Sequence, residues 1–145
     1  MKIVFLTLFI FLNLFSCKPL TKEVEGIKIE SVLLAHQSFQ DNKNLVEIIK
    51  LCLDQKTEGF KALQKFDCRG GAGCYDLGYV LTQIIYRIGE DNYINSISKL
   101  PLQEQMNLTD LIRVGLEYGD NNYDGKMDDL RIQNAFPKIS TFTNQ

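Results

Sequence analysis

The residues most able to do chemistry lie near the C-terminal end, in Gly119-Asp120-Asn121-Asn122-Tyr123-Asp124-Gly125-Lys126-Met127-Asp128-Asp129. Between Glu117 and Asp129 the chain carries five acids against Lys126 alone. So much like charge in one short stretch favours a counterion, and carboxylate and amide oxygens are the donors that a hard cation prefers. The plain alternative is an Asn/Asp/Gly-rich turn between two helices, because these residues accept left-handed backbone and bond to their own neighbours.

The run reads D-x-N-x-D-G-x-x-D and resembles the DxDxDG calcium loops, of which the EF-hand is the best known. The resemblance covers about 12 residues and implies Ca2+ as a cofactor. It implies side-chain oxygens from Asp120, Asn122 and Asp124, a backbone carbonyl from Lys126, and Asp128 bound directly or through water. Gly125 occupies the sharp turn, and Met127 the apolar position that follows. The twelfth position, a bidentate Glu in EF-hands, is Arg131, so Asp129 or a side chain from elsewhere must complete the shell. Without that Glu, the expected affinity falls in the weak extracellular range, about 0.1–1 mM, and the role is structural.

Four cysteines and one histidine are the other reactive groups. Cys68 and Cys74 flank Arg69-Gly70-Gly71-Ala72-Gly73, a stretch flexible enough for the thiols to meet, and a Cys68–Cys74 disulfide is predicted. Cys52 falls on an apolar helical stripe and reads as a buried thiol. Asp67-Cys68-Arg69-Gly70 resembles the nucleophile motif of cell-wall papain-like peptidases. That chemistry needs a histidine after the cysteine, and the only histidine, His36, lies before it. Cys52, Cys68, Cys74 and His36 form no zinc-spaced pair. The Gly70–Gly73 run lacks the Lys and Ser/Thr of a phosphate loop.

The N-terminus, MKIVFLTLFIFLNLFSC, has one cation, Lys2, then an apolar run from Ile3 to Phe15. Thirteen residues match a signal-peptide core. They are short of the roughly 20 that a spanning helix needs. Leu14-Phe15-Ser16-Cys17 resembles the lipobox of bacterial lipoproteins, matching at Leu14, Ser16 and Cys17 and departing at Phe15. The resemblance implies diacylglycerol on the Cys17 thiol, cleavage before Cys17, and a further palmitate-class acyl chain on its new amino group. Two or three such chains hold a protein stably on a membrane. Lys18, rather than Asp, follows the cysteine, which by the same analogy favours the outer over the inner membrane. The expected division is a signal peptide over 1–16, a lipidated Cys17 and tether over 17–26, and a single domain over 27–145.

The elements that must carry these groups read as helices. The clearest stripe is Leu77, Val80, Leu81, Ile84, Ile85 and Ile88, with Gly89 placed to cap it. Others run through Ile29/Val32/Leu33/His36, Leu45/Ile48/Ile49/Cys52, Phe60/Leu63/Phe66 from an N-cap at Thr57, and Tyr93/Ile97/Leu100. Asp41 and Asn42 read as a break. A helix from Asn107 or Thr109 to Gly119 and a last one from Met127 to about Ala135 complete the set. Only Val24 to Ile29 alternates as a strand would. The predicted fold is all-α, a compact bundle of six or seven short helices after the signal helix.

Sixteen basic against eighteen acidic residues, net charge −2, leave no surplus for phosphate neutralisation and exclude a nucleic-acid binder. No nucleophile–base pair or acid dyad emerges; Asp67, Asp76 and Glu117 are the acids an enzyme would use, and nothing in the spacing joins them. The expected function is therefore a non-enzymatic binding or interaction module on the cell envelope, with an unidentified envelope protein as partner. The alternatives are a calcium-dependent structural or sensing lipoprotein, and a periplasmic inhibitor or immunity-type protein.

Overall fold

The computed structural model describes residues 19–143; the signal-peptide and lipobox positions, including Leu14, Ser16 and Cys17, lie outside them. The fold is all-α, with eight helices and one small hairpin among the described residues. The hairpin pairs β1 (Glu23–Val24) with β2 (Ile27–Lys28) antiparallel. Val24 and Ile27 turn inward and are buried, so the weak alternation in sequence marks a real strand pair. The stretch read as a tether therefore joins the domain before residue 26: the Thr21 amide donates to Asn42 Oδ1 at 2.6 Å, and Asn42 Nδ2 donates back to the Thr21 carbonyl at 2.9 Å.

Helix α1 (Ser31–Ala35) is short, because Ile29 is still extended and bonds its amide to the Lys22 carbonyl. Helix α2 (Phe39–Leu53) runs through Asp41 and Asn42, which the polar pattern had marked as a break. Asp41 instead completes a capping box with Ser38, and both reciprocal bonds form. Helix α3 (Thr57–Leu63) starts at Thr57, but the hydroxyl does not cap it; it donates to the Ser96 carbonyl at 2.7 Å.

Helix α4 (Ala72–Ile88) is the central element, with ten buried residues. Gly89, at φ 84°, ends it and leads directly into α5 (Glu90–Ile97). Helix α6 (Leu102–Tyr118) begins straight after Pro101, a turn and more before the predicted start. Its first turns carry Gln103, Glu104 and Gln105, so the apolar stripe appears only from Leu108. The predicted helix from Met127 is confined to α7 (Ile132–Ala135), and Pro137 opens α8 (Pro137–Thr143) in the first turn, where an N–H has no helical partner to lose.

Leu45, Ile49 and Cys52 of α2 meet Phe60 and Leu63 of α3, and this layer joins Leu77, Leu81 and Ile84 of α4, Tyr93 and Ile97 of α5 and Leu108, Ile112 and Leu116 of α6. Helices α4 and α6 touch at backbone range where Gly78 faces Gly115. No helix among the described residues is long and apolar enough to cross a membrane.

Cys68 and Cys74 are joined, with Cα atoms 4.9 Å apart, and tie the α3–α4 loop to the first turn of α4. The loop lies so close that a Cβ on Gly73 would strike the Cys68 carbonyl. Closing a loop this small is worth about 2 kcal/mol. Replacing both cysteines by serine is expected to lower the unfolding free energy by about that amount in urea titration, and reductant should do the same to the parent but nothing to the variant.

Candidate functional site

The chain leaves α6 at Gly119 and folds into a loop latched from both sides. Asn121 is the central latch. Its Nδ2 donates to the carbonyls of Gly115 at 3.0 Å and Gly119 at 3.3 Å, and its Oδ1 accepts from the buried Thr82 hydroxyl at 2.8 Å. The Tyr79 hydroxyl donates to the Asp120 carbonyl at 2.7 Å. Asp128 closes the far end: one carboxylate oxygen accepts the Asn121 amide at 2.6 Å, the other accepts Asn122 Nδ2 at 3.0 Å.

Inside this ring, the two Asp120 oxygens accept the amides of Asp124 at 2.8 Å and Gly125 at 3.1 Å. Asn122 Oδ1 accepts the Asp124 amide at 2.9 Å, and Asp124 Oδ1 accepts the Lys126 amide at 2.9 Å. Gly125, at φ 83°, makes the turn that lets the loop fold back on Asp120. The structure thus brings Asp120, Asn122 and Asp124 together, with Lys126 adjoining through its backbone. Asp128 serves as the closing strut, and Asp129 is drawn off into an ion pair with Arg131 at 3.0 Å. Among the described residues no three His, Cys, Asp or Glu side chains are grouped as a metal site.

Beside the loop runs a groove of about 450 Å³. Its walls are Glu30 and Val32 at the start of α1, the first two turns of α4, the end of α6, and Gly125 to Met127. Tyr75 and Tyr118 both line it and stack on each other, ring centroids 4.3 Å apart and planes 13° apart. Both rings remain more than one-third exposed, as does Val32, while Met127 is 74% exposed. The buried Tyr79 forms the floor; burial, then the neighbouring Tyr123, Asp120 and Glu30, push its phenol pKa up. Tyr118 is held above the usual phenol range by a hydrogen bond to Glu117 and by that carboxylate's charge.

Asp76 projects from α4 into the same groove and caps α1, which has no side-chain cap of its own: its carboxylate accepts the Leu33 amide at 2.9 Å and also the Val32 amide. Burial pushes this carboxyl up, against the pull of those two amides. An acid whose folded pKa exceeds its unfolded value binds its proton more tightly in the fold, so stability falls as pH rises between the two values. Asp76→Asn keeps an acceptor for the Leu33 amide and removes the charge. The variant is expected to gain on the parent from about pH 4 upward, the gap levelling off above the folded pKa, in urea titrations across that range.

The chain matches no protein-family model, no curated protein and no solved structure.

The other reactive groups lie apart. Cys68 and Cys74 are bonded to each other, Cys52 is sealed in the core with its thiol pKa raised by burial, and His36 is exposed just beyond α1. Of the three acids an enzyme would use, Asp76 lines the groove, Asp67 a second depression and Glu117 a third. Tyr75 and Tyr118 are the residues that sequence reasoning passed over, and Met127, read as the apolar position of the loop, lines the groove instead. One signal was present: Tyr75 lies off the apolar stripe of α4, where an aromatic ring has no core to fill.

Proposed function

We propose that this chain is an exported, lipid-anchored domain of the bacterial cell envelope, acting as a non-enzymatic binding module through the Tyr75–Tyr118 groove. The observation that carries the reading is that groove. A stacked pair of half-exposed aromatic rings, rimmed by Val32 and Met127, offers a partner apolar area that the fold itself leaves uncovered. Exposed tyrosines with a polar edge are the side chains on which interfaces concentrate their binding energy. Export is supported by the Lys2, Ile3–Phe15 and Leu14–Cys17 pattern, and the Cys68–Cys74 disulfide suits the oxidising side of a membrane. Attachment through Cys17 would hold the domain at the membrane, the outer one by the lysine at position 18.

Two measurements test this. Radiolabelled palmitate should enter the chain in cells and be lost in Cys17→Ala; label retained in that variant removes the anchor. A photo-crosslinking residue placed at Val32 should give a discrete adduct in cells, and the same residue at Lys50, on α2 and outside the groove, should not. Equal yields at both positions would sink the binding reading.

Calcium is the second reading, favoured by the way Asp120 folds the loop around the Asp124 and Gly125 amides so that three oxygen-bearing side chains share one ring. At ten times the Kd, Ca2+ is expected to raise the unfolding free energy by about 1.4 kcal/mol, with no effect on Asp124→Ala. Thermal melts in chelator and in about 10 mM Ca2+, above the weak range for such sites, decide it; superimposable melts retire the calcium reading.

A further inference from the structure

We propose that the Tyr75–Tyr118 groove takes a cationic protein segment, one arginine side chain flanked by apolar residues, as its partner's anchor. This rests on the binding reading above and names the chemistry that the groove recognises. Three carboxyl-bearing residues line it, Glu30, Asp76 and Asp120, against one cation, Lys126 at the rim. Ion pairs such as Lys65–Glu104, Arg113–Asp110 and Lys138–Asp91 lie elsewhere on the described surface. None of the ion pairs found among the described residues involves a groove acid. The nearby Lys28 is turned to the Tyr123 ring, 5.3 Å from its centroid.

Aromatic faces carry negative potential and attract cations. A guanidinium suits this wall better than an ammonium, because it stacks flat on a ring while its edge forks to a carboxylate. Glu30 is placed to be that carboxylate. It precedes α1 without capping it, so its side chain is not committed to the helix. Val32 and Met127 give the flanking apolar residues a surface.

The test uses the full processed chain in uncharged detergent and three labelled peptides, Gly-Leu-X-Leu-Gly repeats with X arginine, citrulline or glutamate. Citrulline keeps the shape of arginine and removes the charge. Fluorescence anisotropy should place the arginine peptide about tenfold tighter than the citrulline one, the combined effect of a cation–π contact and a partly desolvated charge pair. The glutamate peptide should be weaker still, and added salt should narrow the gap. Glu30→Gln and Tyr118→Ala should each weaken the arginine peptide severalfold, and Glu47→Gln on α2 should leave it unchanged. Equal binding of the arginine and citrulline peptides overturns the inference, as does failure of the arginine peptide to bind at millimolar concentration. The Val32 crosslink separates the two failures. If the discrete adduct persists, the binding reading stands without its cationic partner; if the adduct is also missing, both fall.

Discussion

Gly115→Ala is expected to cost about 3 kcal/mol or more of unfolding free energy, although alanine is the better helix former by about 1 kcal/mol. The new Cβ would land on the carbonyl group of Gly78 and 2.7 Å from the Tyr79 nitrogen. The reciprocal Gly78→Ala meets the Leu111 carbonyl, the Gly115 nitrogen at 2.8 Å and Val114 Cγ2 at 2.9 Å. These are mostly backbone atoms, which no rotamer change can move. Relief requires α4 and α6 to separate, and separation loosens Leu77, Leu81 and Ile84 from Leu108, Ile112 and Leu116 in the centre of the core. The sign is the sharp part of the test, since propensity alone predicts a gain. Urea titration measures the loss, and near-ultraviolet circular dichroism follows the Tyr75–Tyr118 stack, whose rings ride on these two helices. A Gly115→Ala chain as stable as the parent would mean that the helices stand further apart than the geometry here.

That contact also marks where the sequence stops being legible. Leu77, Val80, Leu81 and Ile84 announce α4 through their spacing, and Gly115 falls on the stripe of α6, but nothing local says that Gly115 meets Gly78. A close approach is a property of two helices at once. The same limit explains the misread boundaries. Asp41 and Asn42 look like a break when polarity is averaged, yet Ser38 three residues before Asp41 is a capping signal, and Asn42 is buried because Thr21 comes to it. Pro101 was legible as an end and is equally a beginning. At the loop, residue types alone fixed oxygen-rich chemistry and a turn at Gly125. They could not show that Asp128 is used on the Asn121 amide or that Asp129 is taken by Arg131. The groove is least legible of all, because it is assembled from α1, α4, α6 and the loop. Only the off-stripe placement of Tyr75 hinted at it.

Asn121 is the residue on which the loop's position depends, and Asn121→Ala is expected to cost about 2 kcal/mol. Its Nδ2 gives the Gly115 and Gly119 carbonyls at the end of α6 a second donor. Alanine leaves the Gly119 and Gly115 carbonyls with only their backbone partners, Asp128 and Gly119. It also leaves Thr82, wholly buried, facing a space where an oxygen had been. The consequence reaches the groove. With the latch gone, Asp120 is held to α4 through the Tyr79 hydroxyl alone, and the Gly125 to Met127 wall should swing away from Tyr118. Amide exchange at Asp124, Gly125 and Lys126 should accelerate well beyond the global loss of stability, whereas Tyr79→Phe, which removes one hydrogen bond, should cost about 1 kcal/mol. The two substitutions act on one loop, so their combined cost should depart from the sum by 0.5 kcal/mol or more, about the least seen for coupled neighbours. Strict additivity, with loop amides exchanging no faster than the core, would show that the loop keeps its place without Asn121 and that the groove wall is held by the backbone bonds from Asp128 to Gly119 and Leu130 to Leu116.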